Sequence, residues 1–295
     1  MEPYILSCES TADLTREHLK SRNIHYICYP YELDGKSYRD DLGVTIPFED
    51  FYAAMSRGAM TKTAQINAYE FEAYFEPFLK EGKDILHLCL SSGITGVINS
   101  AQIARASLIE RYPERKIFLV DSLAASSGSG LLMDQLADLR DRGMSLEELY
   151  QWTEHNKLRV HHWFFSTDLQ YYVRGGRISK TAGMVGTMLG ICPLLNVSND
   201  GRLILREKIR SQKKVIAAIV GKMEQYAEHG TAYDGKCYIS HSGCLELAKE
   251  VADLVTVKFP YLAEPVQIYS IGTTIGSHTG PGTVALFFWG SPREN

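Results

Sequence analysis

Short apolar runs of strand length alternate with amphipathic stretches through the first half of the chain, and this alternation most narrows the folds open to it. PYILSC leads into a short helix around LTREHLKSR, IHYICYPYEL ends at the turn signal Asp34-Gly35, and KSYRDD follows as a short strand or loop. Pro47 suits the first turn of a helix through FEDFYAAMSR. A polar loop, MTKTAQINA, then precedes a helix near YEFEAYFEPFLKEG, the strand LHLCL, a helix reaching about Arg111, and the strand KIFLVDS. LLMDQLADLRDRG is amphipathic, and Ser145 with Glu148 forms an S-x-x-E capping box for SLEELYQWTEHNKL. Strands and helices on this rhythm build a parallel sheet covered on both faces, a three-layer α/β/α domain. Its ligand crevice opens at the C-terminal ends of the strands.

The rhythm changes near residue 158. WFFSTDL reads as a strand, RGGRISK as a tight turn, and PLLNVSNDGRLILREKI as two strands about the hairpin signal Asn199-Asp200-Gly201. A helix (SQKKVIAAIVGKMEQYAEHG), a strand (KCYISHS), a helix (LELAKEVADLVTVKF) and two strands (VQIYSIG and TVALFFWG) follow, the last two separated by the loop TTIGSHTGPG. The expectation is two α/β domains, residues 1–158 with the parallel sheet and residues 159–295 with a mixed sheet.

With 45% hydrophobic and 22% charged residues over 295 positions, the composition is that of globular domains and argues against disorder or coiled coil. A formal charge of −4, with both signs mixed along the chain, provides no basic footprint for nucleic acid. Six cysteines without a CxxC read as buried thiols in a reducing compartment, with no metal site. The start MEPYILSCES lacks the basic region and long apolar stretch of a secretion signal, so the expected location is cytoplasmic. Thr181 to Asn199 carries no charge and has Gly186 and Gly190 in GxxxG spacing, but its proline, asparagines and glycines leave it short of a membrane span. It reads as a buried segment, the wall of an apolar pocket.

Ser91-Ser92-Gly93-Ile94-Thr95-Gly96 follows the strand LHLCL and opens onto a helix. Unpaired backbone N–H groups and the positive helix end face outward together at such a turn, which suits an anion. Without the lysine of G-x-x-x-x-G-K-[ST] it is no nucleotide-phosphate loop, whereas two serine hydroxyls and backbone donors can satisfy one carboxylate. Simple closure of a βα turn is the alternative. A serine hydrolase is another, since Ser91 or Ser92, Asp121 and His278 follow the chain order Ser…Asp…His, although the glycine before the nucleophile is missing. Gly128-Ser129-Gly130 is a partial dinucleotide motif with Met133 in place of its third glycine. His161 and His162 point to opposite faces of any strand and read as structural. Arg174-Gly175-Gly176-Arg177 and the loop from Gly276 to Gly282 set two guanidiniums and the His278 imidazole on turns, and with Arg210 they offer donors suited to phosphate.

Taken in order, Glu9-Ser10-Thr11 after the first strand, Thr63-Ala64-Gln65, Ser91-Ser92-Gly93, Val120-Asp121-Ser122, the RGGR turn, Lys208-Ile209-Arg210 and the final IG-x-x-IG-x-H-x-GPG resemble the DegV family of bacterial fatty-acid-binding proteins. The match runs from Ser10 to Gly282. The resemblance implies a two-domain α/β protein that holds one long-chain fatty acid, its acyl chain in an apolar tunnel and its carboxylate at the domain junction, with no cofactor and no activity of its own. Family members of the fatty acid kinase type present the carboxylate to a separate ATP-binding kinase subunit, which phosphorylates it to an acyl phosphate for phospholipid synthesis. A carrier that is never phosphorylated is the alternative.

Carried over to this chain, Thr63, Ser91 and Ser92, with Gly93 and Thr95 of the same loop, hold the carboxylate, and Arg177, Arg210 and His278 engage the transferring phosphate or the kinase. The uncharged run through Met184, Val185, Met188, Leu189 and Ile191 supplies the acyl-chain wall, where each buried CH₂ contributes about 0.8 kcal/mol. Transient contact with a membrane surface would serve lipid exchange. The chain departs from the family at Cys8-Glu9-Ser10-Thr11, where TDST is common, at Thr63-Ala64-Gln65-Ile66-Asn67 in place of TSQPS, and at Thr95-Gly96-Val97 in place of Ser-Gly-Thr.

Overall fold

In the computed structural model, which describes residues 4–179 and 191–294, the early apolar runs form the parallel sheet their rhythm predicts. Strands β1 (Ile5–Glu9), β2 (Ile24–Ile27), β6 (Ile85–Cys89) and β7 (Ile117–Asp121) lie in the order β2-β1-β6-β7, every pair parallel. Side chains alternate across this sheet. Ile5, Ile85 and Ile117 pack against Phe71, Phe75, Ala101 and Leu108 of the helices Ala68–Lys80 and Val97–Arg111. Leu6, Cys8, Leu86 and Val120 face the opposite way, toward the helix Ser127–Asp141. The capping box read at Ser145 is present, and Asn67 with Glu70 forms another that starts the helix Ala68–Lys80.

Three expectations are corrected. IHYICYPYEL is not one strand: after β2 the chain leaves the parallel sheet, because the Tyr29 N–H turns to the Ser10 hydroxyl at 3.2 Å. Its second half, β3 (Pro30–Leu33), pairs instead with β4 (Lys36–Arg39) and with β5 (Thr61–Thr63), which lies in the segment read as a polar loop. The stretch TTIGSHT, also read as loop, is the helix Thr273–Thr279, whose first N–H groups are met by buried carboxylates.

The second sheet contains β8 (Val160–Ser166), β9 (Ile191–Val197), β10 (Leu203–Arg210), β11 (Tyr238–His241), β12 (Gln267–Ser270) and β13 (Thr283–Trp289) in the order β10-β9-β8-β13-β11-β12. Only the β11–β12 pair is parallel, so the sheet is mixed, and the hairpin at Asn199-Asp200-Gly201 joins β9 to β10 with Gly201 at φ 74°. Trp163, Phe165, Leu286 and Phe288 on one face pack against the helices Gln212–Tyr226 and Leu245–Lys258. The other face, with Phe164, Leu195, Tyr238 and Phe287, turns toward the helix Ser127–Asp141.

That helix is therefore covered by both sheets. Leu131, Leu132, Met133, Leu136 and Ala137 are fully buried. Its first turn comes close enough only because it carries glycines. A Cβ on Gly128 would lie 2.1 Å from His162 Nε2, and one on Gly130 would lie 2.6 Å from the Ala12 carbonyl. The Gly128-Ser129-Gly130 motif is thus a packing contact and not part of a dinucleotide turn. Further along, Asp134 accepts from the Tyr238 hydroxyl at 2.9 Å, lies 3.0 Å from His18 Nε2 and pairs with Lys236, tying the helix to residues of both domains. Gly128→Ala should lower unfolding stability by about 1–3 kcal/mol, the usual cost of overpacking. An unshifted midpoint in urea denaturation would show that the sheets can part without penalty.

Candidate functional site

Strands β1, β6 and β7 end at Glu9, Cys89 and Asp121, and the loops beyond them meet the inner face of the mixed sheet around a cavity of about 740 Å³. Leu90, Ile94 and Ala125 reach it from those loops, and Phe164, Val197, Leu203 and Phe287 reach it from β8, β9, β10 and β13. Its polar lining includes Thr63 on β5, Thr95, Arg177, Ser277 and His278. Met60, Lys62 and Arg174, all exposed, form the rim there.

Thr63 Oγ1 lies 2.7 Å from His278 Nε2. Nδ1 of the same imidazole has no hydrogen-bond partner among the described residues and is pressed against Gly175, where a Cβ would lie 2.2 Å from it. Burial, and then the positive charge of Arg177, lower the His278 pKa from 6.5 to about 4, so the ring is neutral at physiological pH. Arg177 donates from Nη1 to the Gly175 carbonyl at 2.6 Å, and among the described residues no carboxylate neutralises it. A half-buried, unpaired guanidinium beside a neutral imidazole and a hydroxyl, at the rim of an apolar cavity, suits a ligand with one negative charge and an apolar body.

The serine loop sits differently from its hydroxyl-rich appearance. Ser91 is fully buried, its hydroxyl donating to the Gly201 carbonyl at 2.8 Å and accepting from the Gly93 N–H at 3.1 Å. Ser92 is exposed, and its N–H donates to Asp121 Oδ1 at 3.0 Å. Gly93 packs under the β9–β10 hairpin, where a Cβ would be 2.5 Å from the Asp200 carbonyl. Thr95 is the loop hydroxyl that lines the cavity, beside Tyr29. Arg210 is exposed at the end of β10, paired in register with Ile191, and neither is among the cavity-lining residues. Met184, Val185, Met188 and Leu189 lie outside the described residues.

A hydrolase relay is not assembled. His278 Nε2 is matched with Thr63, its Nδ1 meets no carboxylate, and Asp121 is occupied by the N–H groups of Ser92 and Leu123. Beneath the serine loop, Glu9, His87 and Cys89 bring a carboxylate, an imidazole and a thiol within 4.8 Å of one another, all buried. Glu9 Oε2 accepts from the Tyr29 hydroxyl at 3.1 Å and from the Leu90 N–H at 3.0 Å, which fastens the ends of β1 and β6 under the cavity. Sequence reasoning passed over Tyr29 and Phe164, and took His162 as structural only. All three line the cavity, and His161, on the opposite face of β8, stacks on Phe288.

The DegV family profile, described as an uncharacterised protein family, matches residues 6–290. The chain belongs to the DegV family. A DegV domain-containing protein of Clostridium perfringens is 35% identical over 294 residues, spanning 100% of both chains. A DegV family protein of Thermus thermophilus, described for its fatty acid binding, is 26% identical, with a TM-score of 0.83 over 97% of this chain and 99% of its own. The Streptococcus pneumoniae Fatty Acid Kinase (Fak) B3 protein, solved with linoleic acid, has the same fold at 21% identity, with a TM-score of 0.83 over 97% of this chain and 99% of its own. Among the described residues of this DegV chain, no helix is long and apolar enough to cross a membrane.

The depressed His278 pKa has a consequence for stability. Folding disfavours the charged ring, so the contribution is intact above the ordinary value of 6.5 and is lost as pH falls toward about 4. NMR titration of the His278 ring in the ligand-free DegV protein should give a midpoint near 4. A midpoint at 6.5 would mean that the ring is solvated and not seated against Gly175.

Proposed function

We propose that this chain binds one long-chain fatty acid, with the acyl chain in the cavity and the carboxylate among Thr63, Thr95, Arg177 and His278, and presents it to a separate ATP-dependent kinase subunit that forms the acyl phosphate. The observation that carries the reading is the unneutralised Arg177 guanidinium beside the Thr63–His278 pair at the edge of an apolar cavity. Bound fatty acid in the related Streptococcus pneumoniae kinase-system protein and fatty acid binding in the Thermus thermophilus DegV protein support it.

The chemistry divides among the residues. Phe164, Val197, Leu203 and Phe287 supply the dry surface on which each methylene contributes about 0.8 kcal/mol, so affinity resides mainly in the chain. Arg177 supplies the positive charge, since His278 is neutral, and Thr63 fixes the imidazole so that one ring nitrogen keeps a defined role at the head group. The carboxylate oxygen stays nucleophilic toward an incoming phosphoryl group, because hydrogen bonds and one shared cation leave its lone pairs accessible. Arg174 at the rim, and Arg210 on the surface, are cations that can meet phosphate brought by the kinase. Ser91, Ser92 and Gly93 serve this site indirectly, by locking the loop that presents Thr95.

Native mass spectrometry of the protein purified from a bacterial host should show one long-chain fatty acid per chain, released by solvent extraction. A protein that is empty and cannot take up added fatty acid would sink the reading. Thr63→Ala should weaken fatty acid binding by about 1.5–3 kcal/mol, as for a lost hydrogen bond to a charged group. His278→Ala should keep its lipid and lose acyl phosphate formation with the kinase and ATP; unchanged turnover would favour a carrier that is not phosphorylated.

A further inference from the structure

Two buried carboxylates converge on the start of the helix that carries His278. Asp13 follows β1 and Asp40 follows β4, and they are 3% and 0% exposed. Asp13 Oδ1 accepts the Gly272 N–H at 2.9 Å, and Asp40 Oδ2 accepts the Thr274 N–H at 3.0 Å. Gly272 makes room for both, since a Cβ there would lie 2.7 Å from Asp13 Oδ1 and 3.2 Å from Asp40 Oδ2. Asp13 Oδ2 also accepts the hydroxyl of Ser126, a cavity-lining residue, at 2.5 Å, and the Thr273 N–H and the hydroxyls of Thr273 and Thr274 also lie toward Asp40. Burial raises both carboxyl pKa values, and the charge of Asp40 raises that of Asp13 further.

The sequence TTIGSHT, with three threonines and a glycine in seven residues, has little helix propensity of its own, so the grip on its first N–H groups has a large share in forming the helix. Thr274 lies one turn before His278 on the same face, and both line the cavity. What holds Thr274 therefore sets the rotation that places His278.

We propose that Asp13 and Asp40 are positioning residues for this site: by gripping the N–H groups of Gly272 and Thr274 they hold His278 against Thr63 and Gly175. This rests on reading His278 as a contact of the head group or its phosphate. Neither Asp13 nor Asp40 lines the cavity. Its effect is transmitted along one short helix, and the two acids come from segments that otherwise belong to different sheets.

Asp40→Ala and Asp40→Asn in the full chain test this. Asp40→Ala should retain fatty acid in a fluorescent displacement assay, slow acyl phosphate formation about 10- to 100-fold as for a displaced catalytic contact, and move the His278 NMR midpoint up from about 4 toward 6.5 as the ring leaves its buried seat. Asp40→Asn keeps an acceptor oxygen for the Thr274 N–H and should restore both readouts. An Asp40→Ala protein with the original midpoint and rate would overturn the proposal. Should Asp40→Ala fail to fold, Gly272→Ala leaves both carboxylates in place but sets a methyl 2.7 Å from Asp13 Oδ1. A raised His278 midpoint in that variant supports the proposal, and an unchanged one overturns it. If the unsubstituted protein forms no acyl phosphate with the kinase, the functional reading fails by itself, and the His278 midpoint still decides the positioning role.

Discussion

Close approach of the helix Ser127–Asp141 to both sheets is the constraint on which the rest of the molecule depends. All but a narrow stripe of this helix, Gln135, Asp138, Arg140 and Asp141, is buried, so over most of its surface its neighbours must match it closely. Gly128 and Gly130 bring its first turn to within side-chain contact of His162 and the Ala12 carbonyl, and Asp134 anchors its middle to His18, Tyr238 and Lys236. With the helix seated in this way, the C-terminal ends of the parallel strands face the inner surface of the mixed sheet, and the gap between them is the cavity. Loops from one sheet and alternate residues of the other line the gap, and β5, the helix Thr273–Thr279 and the turn at Arg177 close its edge.

Within the cavity, the balance of apolar wall and polar edge is uneven in a way that matters. Phe164, Val197, Leu203 and Phe287 offer no partner to a charged group, and the proposed reading therefore seats the head group at the edge where Arg177, Thr63, Thr95 and His278 lie. The imidazole is neutral, and Arg177 is the half-buried cation at this edge. A second anion arriving at the same edge would exceed what the buried residues can neutralise, and the exposed Arg174 supplies additional positive charge at the rim.

The sequence made the architecture legible where local signals were unambiguous: apolar runs alternating with capped helices, the Ser145–Glu148 box, and the Asn199-Asp200-Gly201 turn. It left the cavity illegible for a physical reason. Strands β8 and β13 are apolar on both faces, so period-two alternation could not tell that Phe164 and Phe287 face the cavity while Trp163, Phe165 and Phe288 face the outer helices. The serine loop misled in the same way, because the Ser91 hydroxyl is engaged by a carbonyl 110 residues away, a partner no local pattern reveals. Gly128-Ser129-Gly130 looked like half of a nucleotide motif because close helix packing and close phosphate approach both call for glycine. The helix Thr273–Thr279 escaped notice since its support comes from Asp13 and Asp40, far away in sequence.

The Thr63–His278 contact joins residues 215 positions apart. Contacts of such separation form late, after the entropy of closing the intervening chain has been met by the packing of both sheets. A nascent or half-folded chain thus presents apolar strands well before it has the polar grip that selects an anionic head group. On the proposed reading, lipid capture would mark completed synthesis, since the helix Thr273–Thr279 must dock against Thr63 before the head-group contacts exist.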